Sequence, residues 1–192
     1  MSGPMARWQP DARNRLAAAA LDLYEERGFE GTTVAEIAER AGLTKRTFFR
    51  HFADKREVLF SGTDELERLI VDGIAAAPAT EAPLDAVVAG LAATAEVFDA
   101  ERLPYARRRA AIVDANPDLR ERELIKMERL STSIAAALGE RGVAEPAASL
   151  AARAGVTIFH VAFGQWVGGE EQRDFGALIE RTARELRAVA LA

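Results

Sequence analysis

The segment that decides the fold is TVAEIAERAGLTKRTFFRHF, residues 33–52. It opens with Thr33, and Glu36 follows three positions later, which is the capping-box pattern at the start of a helix. Gly42 then offers a residue that turns the chain without steric cost. Thr44 is suited to cap a second short helix. The segment therefore predicts two short helices joined by a glycine-containing turn.

The second of these helices has two chemically different faces. Phe48 and Phe52 are four residues apart, so both lie on one side and are expected to pack inward. The outward side carries polar and basic residues at the N-terminal end of the helix, namely Thr44, Lys45, Arg46 and Arg50. With a longer helix predicted over residues 11–27, the pattern is typical of a helix-turn-helix whose second helix contacts bases in the major groove. A solvated charged face without any DNA partner has the same spacing.

Individual roles follow from the chemistry of these side chains. Arg46 can donate two hydrogen bonds to guanine, and Lys45 can contact a base or a phosphate. The Thr33 hydroxyl and the free amides beside it can hold a phosphate at a helix N-terminus. His51 and Lys55 follow the second helix, where they can contact the flanking DNA backbone.

Residues 11–60 closely resemble the DNA-binding domain of the tetracycline-repressor (TetR) family, through the whole of residues 33–52 and the Asp54–Lys55 pair that follows. The resemblance implies an all-helical homodimer with a three-helix DNA-binding domain and a larger ligand-binding and dimerisation domain. By family position, the DNA-contacting residues are expected to be Thr33, Lys45, Thr47, Phe49, His51 and Lys55, with Arg46 as a variable specificity position. Where the family usually has Tyr, this chain has Phe49, which lacks the hydroxyl for a phosphate contact.

The rest of the chain is rich in Ala and Leu and shows no sustained alternation of polar and apolar residues, which favours an all-α fold. We divide the whole chain into a helix-turn-helix domain at 1–56 and a helical-bundle domain at 57–192. Asn116 is expected to cap one of the long helices. Beyond the first domain we predict a long helix from Asp54, a loop over 78–83, and helices over 84–98, 117–138, 146–167 and 174–190.

The last two predicted helices carry the residues expected at a dimer interface. Small residues suited to close helix approach lie on the first of them, namely Ala151, Gly155, Ala162, Gly164 and Gly168. Apolar residues at helical spacing lie on the second, with Thr182 among them, namely Phe175, Leu178, Ile179, Thr182, Leu186 and Val189. These helices are expected to complete a two-fold four-helix interface. Packing within a single subunit explains the same pattern.

A second set of residues indicates a small-molecule site in the C-terminal domain. Its members are mostly aromatic and fall on the same helices, namely Phe98, Tyr105, Met127, Phe159, His160, Phe163 and Trp166. Apolar cavities with a few polar groups are the usual sites for small ligands, so we expect an apolar or aromatic effector. Aromatic residues at helical spacing also form ordinary cores.

Composition excludes several classes of protein. The chain has no cysteine and two histidines, and neither histidine belongs to a metal-binding or catalytic motif, so we expect no enzyme, metal or cofactor. The net charge is −5, yet residues 1–56 hold ten basic and eight acidic residues. Residues 1–10 show no signal-peptide pattern, and the apolar run at 154–167 is too short to span a bilayer. We therefore expect a cytoplasmic protein with no membrane partner.

Together these features predict a regulator, most simply a repressor, that binds a palindromic operator in double-stranded DNA as a homodimer. A small-molecule effector is expected to release it. The alternative is a helical protein that binds a small molecule or partner and has lost DNA binding, as the Phe49 substitution hints. Salt-dependent affinity for DNA distinguishes the two, since phosphate contacts release counterions.

Overall fold

A computed structural model describes residues 11–169 and 174–190, and residues 1–10, which include the segment inspected for a signal peptide, lie outside that range. The described residues contain α-helices and one short 3-10 turn, with no β-strand among them, as the sequence predicted. The helices are α1 (Ala12–Arg27), α2 (Val34–Arg40), α3 (Lys45–His51), α4 (Glu57–Phe60), α5 (Thr63–Ala76), α6 (Pro83–Ala92), α7 (Leu103–Asp114), α8 (Pro117–Glu140), α9 (Ala147–Gly168) and α10 (Phe175–Ala190), with the 3-10 turn (Ala93–Glu96) after α6.

The chain divides into two compact units, with the boundary between Ser61 and Gly62. We call them the N-terminal unit and the C-terminal unit. The division expected from sequence was five residues earlier, after residue 56. The difference arises because α4 packs against α1, and its side chains Val58, Leu59 and Phe60 are buried.

Local signals in the N-terminal unit are confirmed. Thr33 and Glu36 form both hydrogen bonds of the capping box at the start of α2. Gly42 has a φ of 64°, in the left-handed region that the predicted turn requires. The Thr44 hydroxyl accepts a hydrogen bond from the Thr47 amide and so caps α3.

The predicted long helix beginning at Asp54 is wrong. The chain forms the four-residue α4 and then breaks, and α5 starts only at Thr63. Gly62 lies between them with a φ of 95°, a conformation that side chains with a Cβ rarely adopt. The apolar periodicity continued across this point and therefore concealed the break.

The C-terminal unit is a bundle in which α6 is packed between α5 and α9. A Cβ on Gly90 of α6 would lie 2.5 Å from the carbonyl oxygen of Ile70 in α5, and one on Gly73 would lie 2.7 Å from the Gly90 Cα. A Cβ on Gly155 of α9 would lie 2.4 Å from Cγ1 of Val87. Glycine at 73 and 90 is thus needed for the backbones of α5 and α6 to approach so closely, and Gly155 leaves room for the Val87 side chain.

Several residues expected at a dimer interface instead form the core of one subunit. Phe175, Leu178, Ile179 and Thr182 of α10 are buried, as is Gly155 of α9, because α10 packs on α9 and α6. The opposite side of α9 is exposed or half-buried. We call it the outer stripe of α9, and it consists of Leu150, Ala154, Thr157, Val161, Gly164 and Gly168.

Among the described residues, α9 is the one helix long and apolar enough to cross a membrane by length and composition. The helix predicted over residues 146–167 is confirmed by α9, whose uncharged part, residues 154–167, is too short by itself to span a bilayer. Inside the unit α9 packs against α6, α7, α8 and α10. Core helices of helical bundles pass the same test, so this feature is weak evidence for a membrane span.

Two smaller predictions also needed correction. Asn116 stands at the N-cap of α8, but its side chain makes no capping hydrogen bond. The helix expected to reach about Phe98 tightens into the 3-10 turn after Ala92. Both departures concern helix ends, which depend on tertiary packing as well as on local sequence.

Candidate nucleic-acid interface

The orientation of α3 is set by two aromatic side chains. Phe48 is fully buried and Phe52 nearly so, and their ring centroids are 5.4 Å apart. The helix packs on α1 and α2 through this side. The opposite side of α3 is therefore presented to solvent, as the spacing of the two phenylalanines predicted.

The exposed side of α3 forms a shallow depression lined by Thr44, Arg46, Thr47, Phe49 and Arg50. Phe49 has 57% of its surface exposed, although its ring centroid lies 5.5 Å from that of Phe48. An exposed aromatic ring among basic side chains is suited to pack on a sugar or on a thymine methyl group. The depression thus combines apolar and hydrogen-bonding groups on one helical face.

Other basic residues of the N-terminal unit are engaged in contacts within the unit. Arg27 pairs with Glu36 and Arg40 pairs with Glu26, each at 2.8 Å. The pKa of Arg40 is raised, first by its hydrogen bond to Glu26. Among the described residues, Lys45, Arg46 and Arg50 of α3 make no ion pair with a carboxylate. Three cations without a carboxylate partner therefore lie together on α3.

The threonine hydroxyls predicted to face DNA are already hydrogen-bonded. The Thr33 hydroxyl donates to Glu36 Oε2 at 2.7 Å and accepts from the Glu36 amide at 3.3 Å. The Thr44 and Thr47 hydroxyl oxygens lie 3.0 Å apart and share a hydrogen bond. Thr33 is thus occupied by the capping box rather than available as a lone phosphate donor.

The residues predicted to follow α3 on the DNA side have different surroundings. His51 is half-buried and lies beside Arg50, with its Nε2 3.5 Å from the guanidinium. The Lys55 ammonium turns back to the connector between α1 and α2, where it donates to the carbonyl oxygen of Phe29 at 2.8 Å. This contact holds the Lys55 ammonium group at the connector, apart from the exposed side chains of α3.

Four of the seven residues predicted for a small-molecule site form one aromatic cluster in the C-terminal unit. Phe98, Phe159, Phe163 and Trp166 make ring contacts with centroids 5.4–6.1 Å apart. Phe175 joins this aromatic cluster, with its ring centroid 4.5 Å from that of Phe98. The sequence pattern had indicated a dimer interface for Phe175.

The other three residues lie apart from these ring contacts. His160 is exposed, because it follows the buried Phe159 directly and so lies on another side of α9. Tyr105 of α7 is half-buried, and Met127 of α8 packs against the main core. His160 therefore lies outside the aromatic cluster.

Comparison with known families extends these observations to most of the chain. Residues 16–61 match the family model described as bacterial regulatory proteins, tetR family, and residues 81–190 match the model described as the MftR C-terminal domain. The chain belongs to the TetR family. Membership in a family of regulatory proteins also supports the prediction that this TetR-family chain is not an enzyme.

Curated relatives match the TetR-family chain over part of their length. The regulator TcmR of Streptomyces glaucescens is 40% identical over 75 residues, covering 39% of this chain and 33% of TcmR. The regulator BetI of Cronobacter sakazakii is 29% identical over 135 residues, covering 67% of this chain and 64% of BetI. The matches thus span between a third and just under two thirds of these relatives.

Solved structures share the fold of this TetR-family chain along most of its length. A TetR-family regulator from Syntrophomonas wolfei superposes with a TM-score of 0.62 at 18% identity, covering 94% of this chain and 95% of that one. A transcriptional regulator from Pseudomonas aeruginosa PAO1 gives 0.60 at 20% identity, covering 95% and 94%. At these identities the likeness shows the fold alone.

Sequence reasoning missed one side chain that positions α3 in this TetR-family fold. Arg15 of α1 donates a hydrogen bond to the carbonyl oxygen of Ala41, in the turn between α2 and α3. A Cβ on Gly42 would lie 3.1 Å from the same guanidinium. The apolar stripe of α1 gave no sign of this contact, because Arg15 lies beside the stripe and its partner is a backbone atom 26 residues away.

The capping box predicts an acid-sensitive N-terminal unit in this TetR-family protein. Hydrogen bonds from the Thr33 hydroxyl and amide lower the pKa of Glu36 below its ordinary value of 4.5. The folded state therefore binds this proton less readily than the unfolded chain, so the contribution is present above about pH 4.5 and is lost as the pH falls through the lowered pKa. We expect Glu36→Gln, which keeps the capping shape without the charge, to show a weaker acid dependence.

The measurement is the urea midpoint of unfolding of both proteins between pH 7 and pH 3. Unfolding is followed by amide hydrogen exchange in peptides that cover α2. The difference between wild type and Glu36→Gln should shrink steadily below pH 4.5. Parallel curves over the whole range would contradict this role of Glu36.

Proposed function

We propose that this chain is a sequence-specific DNA-binding transcriptional regulator, most simply a repressor, whose α3 binds the major groove. The supporting observation is the set of three cations on α3, Lys45, Arg46 and Arg50, which have no carboxylate partner within the described chain. Arg27 and Arg40, by contrast, lie in ion pairs with their own unit. Charges left uncompensated on one exposed helix face are suited to phosphates and base edges.

Within this proposal, Arg46 contacts guanine and Lys45 contacts a base or a phosphate. Arg50 and His51 follow on the same helix and contact the DNA backbone. Thr44 and Thr47 present their shared hydroxyl pair at the N-terminal end of α3, and Phe49 packs on a sugar or a thymine methyl group. Thr33 contributes the N-terminal end of α2, where an anion is favoured by the exposed amides.

We further propose that the chain acts as a homodimer on a palindromic operator, with the outer stripe of α9 at the two-fold interface. None of the six residues of this stripe is charged, and Leu150 and Val161 expose 66% and 40% of their surface. Small residues at Gly164 and Gly168 allow close approach of a second helix. Two copies of α3 spaced about 34–36 Å apart, or a helical multiple, would reach successive major grooves on one face of DNA.

The proposed effector is an apolar or aromatic small molecule that binds at the aromatic cluster. The five rings contact one another, so a ligand entering there displaces at least one of them and repacks α9 against α10.

Residues 1–56 then act in DNA binding, and residues 57–192 act in ligand binding and dimerisation. Ligand must weaken DNA binding by the same factor by which DNA weakens ligand binding. This regulator would work in the cytoplasm, where its operator is.

The test is fluorescence anisotropy of the full chain on DNA from upstream of its own gene, with unrelated DNA for comparison. We expect tight, salt-sensitive binding that prefers the upstream fragment. Arg46→Ala should weaken it at least tenfold, since each bidentate guanine contact contributes about 1–3 kcal/mol of discrimination. Arg68→Ala is the matched control, because Arg68 is exposed on α5 and pairs with Asp72.

Equal and weak binding to both fragments, unchanged by Arg46→Ala, would contradict sequence-specific recognition of this DNA. Ligand binding with no DNA retained at any salt concentration would favour the alternative of a small-molecule binding protein that has lost DNA binding. The exposed Phe49, in place of a residue with a hydroxyl, is the observation that keeps this alternative in view.

A further inference from the structure

The ammonium group of Lys55 is surrounded by backbone carbonyls of the connector between α1 and α2. Its Nζ lies 2.8 Å from the carbonyl oxygen of Phe29, 3.1 Å from that of Thr32 and 3.4 Å from that of Glu30. An ammonium group has three hydrogens and no acceptor. These three carbonyls therefore use every donor that Lys55 has.

Two further contacts fix Lys55 in this place. Its Nζ lies 4.3 Å from the centroid of the Phe29 ring, within the range of a cation–π interaction. The Tyr24 hydroxyl donates to the carbonyl oxygen of Lys55 at 2.6 Å, so the backbone of Lys55 is held to α1. Tyr24 and Phe29 also contact each other edge to face at 5.2 Å. The side chain and the backbone of Lys55 are thus both anchored to the same region.

The connector that Lys55 holds leads directly into α2. Thr32 is buried, and its hydroxyl lies 2.9 Å from the carbonyl oxygen of Gly28. The next residue, Thr33, is the N-cap of α2, and its backbone amide donates a hydrogen bond to the Glu36 carboxylate. Fixing the carbonyl of Thr32 therefore fixes the direction in which α2 begins, and α2 in turn packs on α3.

We propose that Lys55 is a positioning residue, whose ammonium group clamps the α1–α2 connector and so orients the N-terminus of α2 toward DNA, rather than a direct phosphate contact. This inference rests on the proposed DNA-binding function. It differs from the expectation drawn from sequence, in which the positive charge of Lys55 acts on the DNA backbone.

Two variants separate the two roles. Lys55→Met keeps most of the aliphatic stem but removes the charge and the donors. Lys55→Arg keeps the charge and binds phosphate well, but its planar donor geometry cannot be directed at three carbonyls around one point. A positioning role predicts that both variants bind DNA about fivefold or more weakly than wild type. A phosphate contact predicts that Lys55→Arg binds like wild type.

Salt dependence provides an independent measure. Each phosphate contact contributes about 0.9 to the slope of log affinity against log salt concentration. We expect Lys55→Met to keep the wild-type slope while its affinity falls. Lys45→Met removes the same charge from an exposed site on α3 and serves as the comparison; its slope should decrease. A slope lower by about 1.8 for a Lys55→Met dimer would overturn the proposal.

Hydrogen exchange tests the clamp without DNA. The full-length protein is measured, with circular dichroism confirming that each variant is folded at the temperature used. Amides of residues 33–36 should exchange faster in Lys55→Met, whereas those of α9 should not change. Unchanged exchange together with unchanged affinity in the folded variant would overturn the positioning role, even if the melting temperature had fallen.

A second variant covers the case in which Lys55→Met fails to fold. Tyr24→Phe removes the hydrogen bond to the Lys55 carbonyl and leaves every charge in place. It should weaken DNA binding several-fold with an unchanged salt slope, and wild-type affinity in this variant would contradict the clamp. If wild type itself binds no DNA, the proposed function fails, while the exchange of residues 33–36 still decides whether Lys55 orders α2.

Discussion

Replacing Phe48 with alanine is expected to destabilise the N-terminal unit by about 3–5 kcal/mol, the usual cost of removing a buried phenylalanine side chain. Phe48 is fully buried and contacts Phe52 at 5.4 Å on the side of α3 that faces α1 and α2. The loss is comparable with the whole stability of a small domain, because such domains are stabilised by only about 5–15 kcal/mol. Peptides covering residues 34–51 should then exchange amide hydrogens at nearly the unfolded rate.

The neighbouring Phe49→Ala is the matched control for this change. It removes the same atoms from the next position in α3, where 57% of the side chain is exposed. Exposed substitutions of this kind usually change stability by no more than about 0.5 kcal/mol. Its effect should therefore appear in DNA affinity. Equal destabilisation by the two variants would show that the assigned faces of α3 are wrong.

Placing a charge in the outer stripe of α9 is expected to separate the proposed dimer. Val161 lies midway along this stripe and exposes 40% of its surface. With Val161→Glu, each subunit would place a carboxylate in the apolar interface, and an unpaired buried ion costs several kcal/mol. We expect a change from dimer to monomer at about 10 μM protein, because the dissociation constant of the dimer rises tenfold for each loss of about 1.4 kcal/mol in binding free energy.

Light scattering coupled to size-exclusion chromatography measures this change directly. Leu124→Glu is the matched control, since Leu124 is 70% exposed on α8 and also apolar. A dimeric Val161→Glu would contradict the assignment of the outer stripe. A monomeric Leu124→Glu would instead place the interface on α8.

Sequence alone predicted those features that depend on neighbours within one turn of helix. The capping box at Thr33 and Glu36, the cap at Thr44 and the left-handed Gly42 need only a few consecutive residues, and all three were confirmed. The inward and outward faces of α3 follow in the same way from the spacing of Phe48 and Phe52. The candidate interface on α3 was therefore largely predictable.

Features that depend on the partner of a helix were not predictable in this way. Apolar periodicity showed which side of α10 is covered but not by what, and Phe175 proved to lie against Phe98 of its own subunit. Apolar spacing also continued smoothly through Gly62, although its backbone ends one helix and starts another. Lys55 illustrates the same limit for a charged residue, since its partners are backbone carbonyls 23 to 26 positions away.

The contact between Gly73 and Gly90 has a consequence for how relatives of this chain can diverge. Where two helices touch through backbone atoms, no side chain at the contact can vary in size, so the spacing of α5 and α6 does not shift as neighbouring residues change. The aromatic cluster lies mainly on α9, with further rings from the segment after the 3-10 turn and from α10. Ring substitutions there can accumulate on a fixed backbone frame, so new chemical preferences in the C-terminal unit can evolve without a new fold.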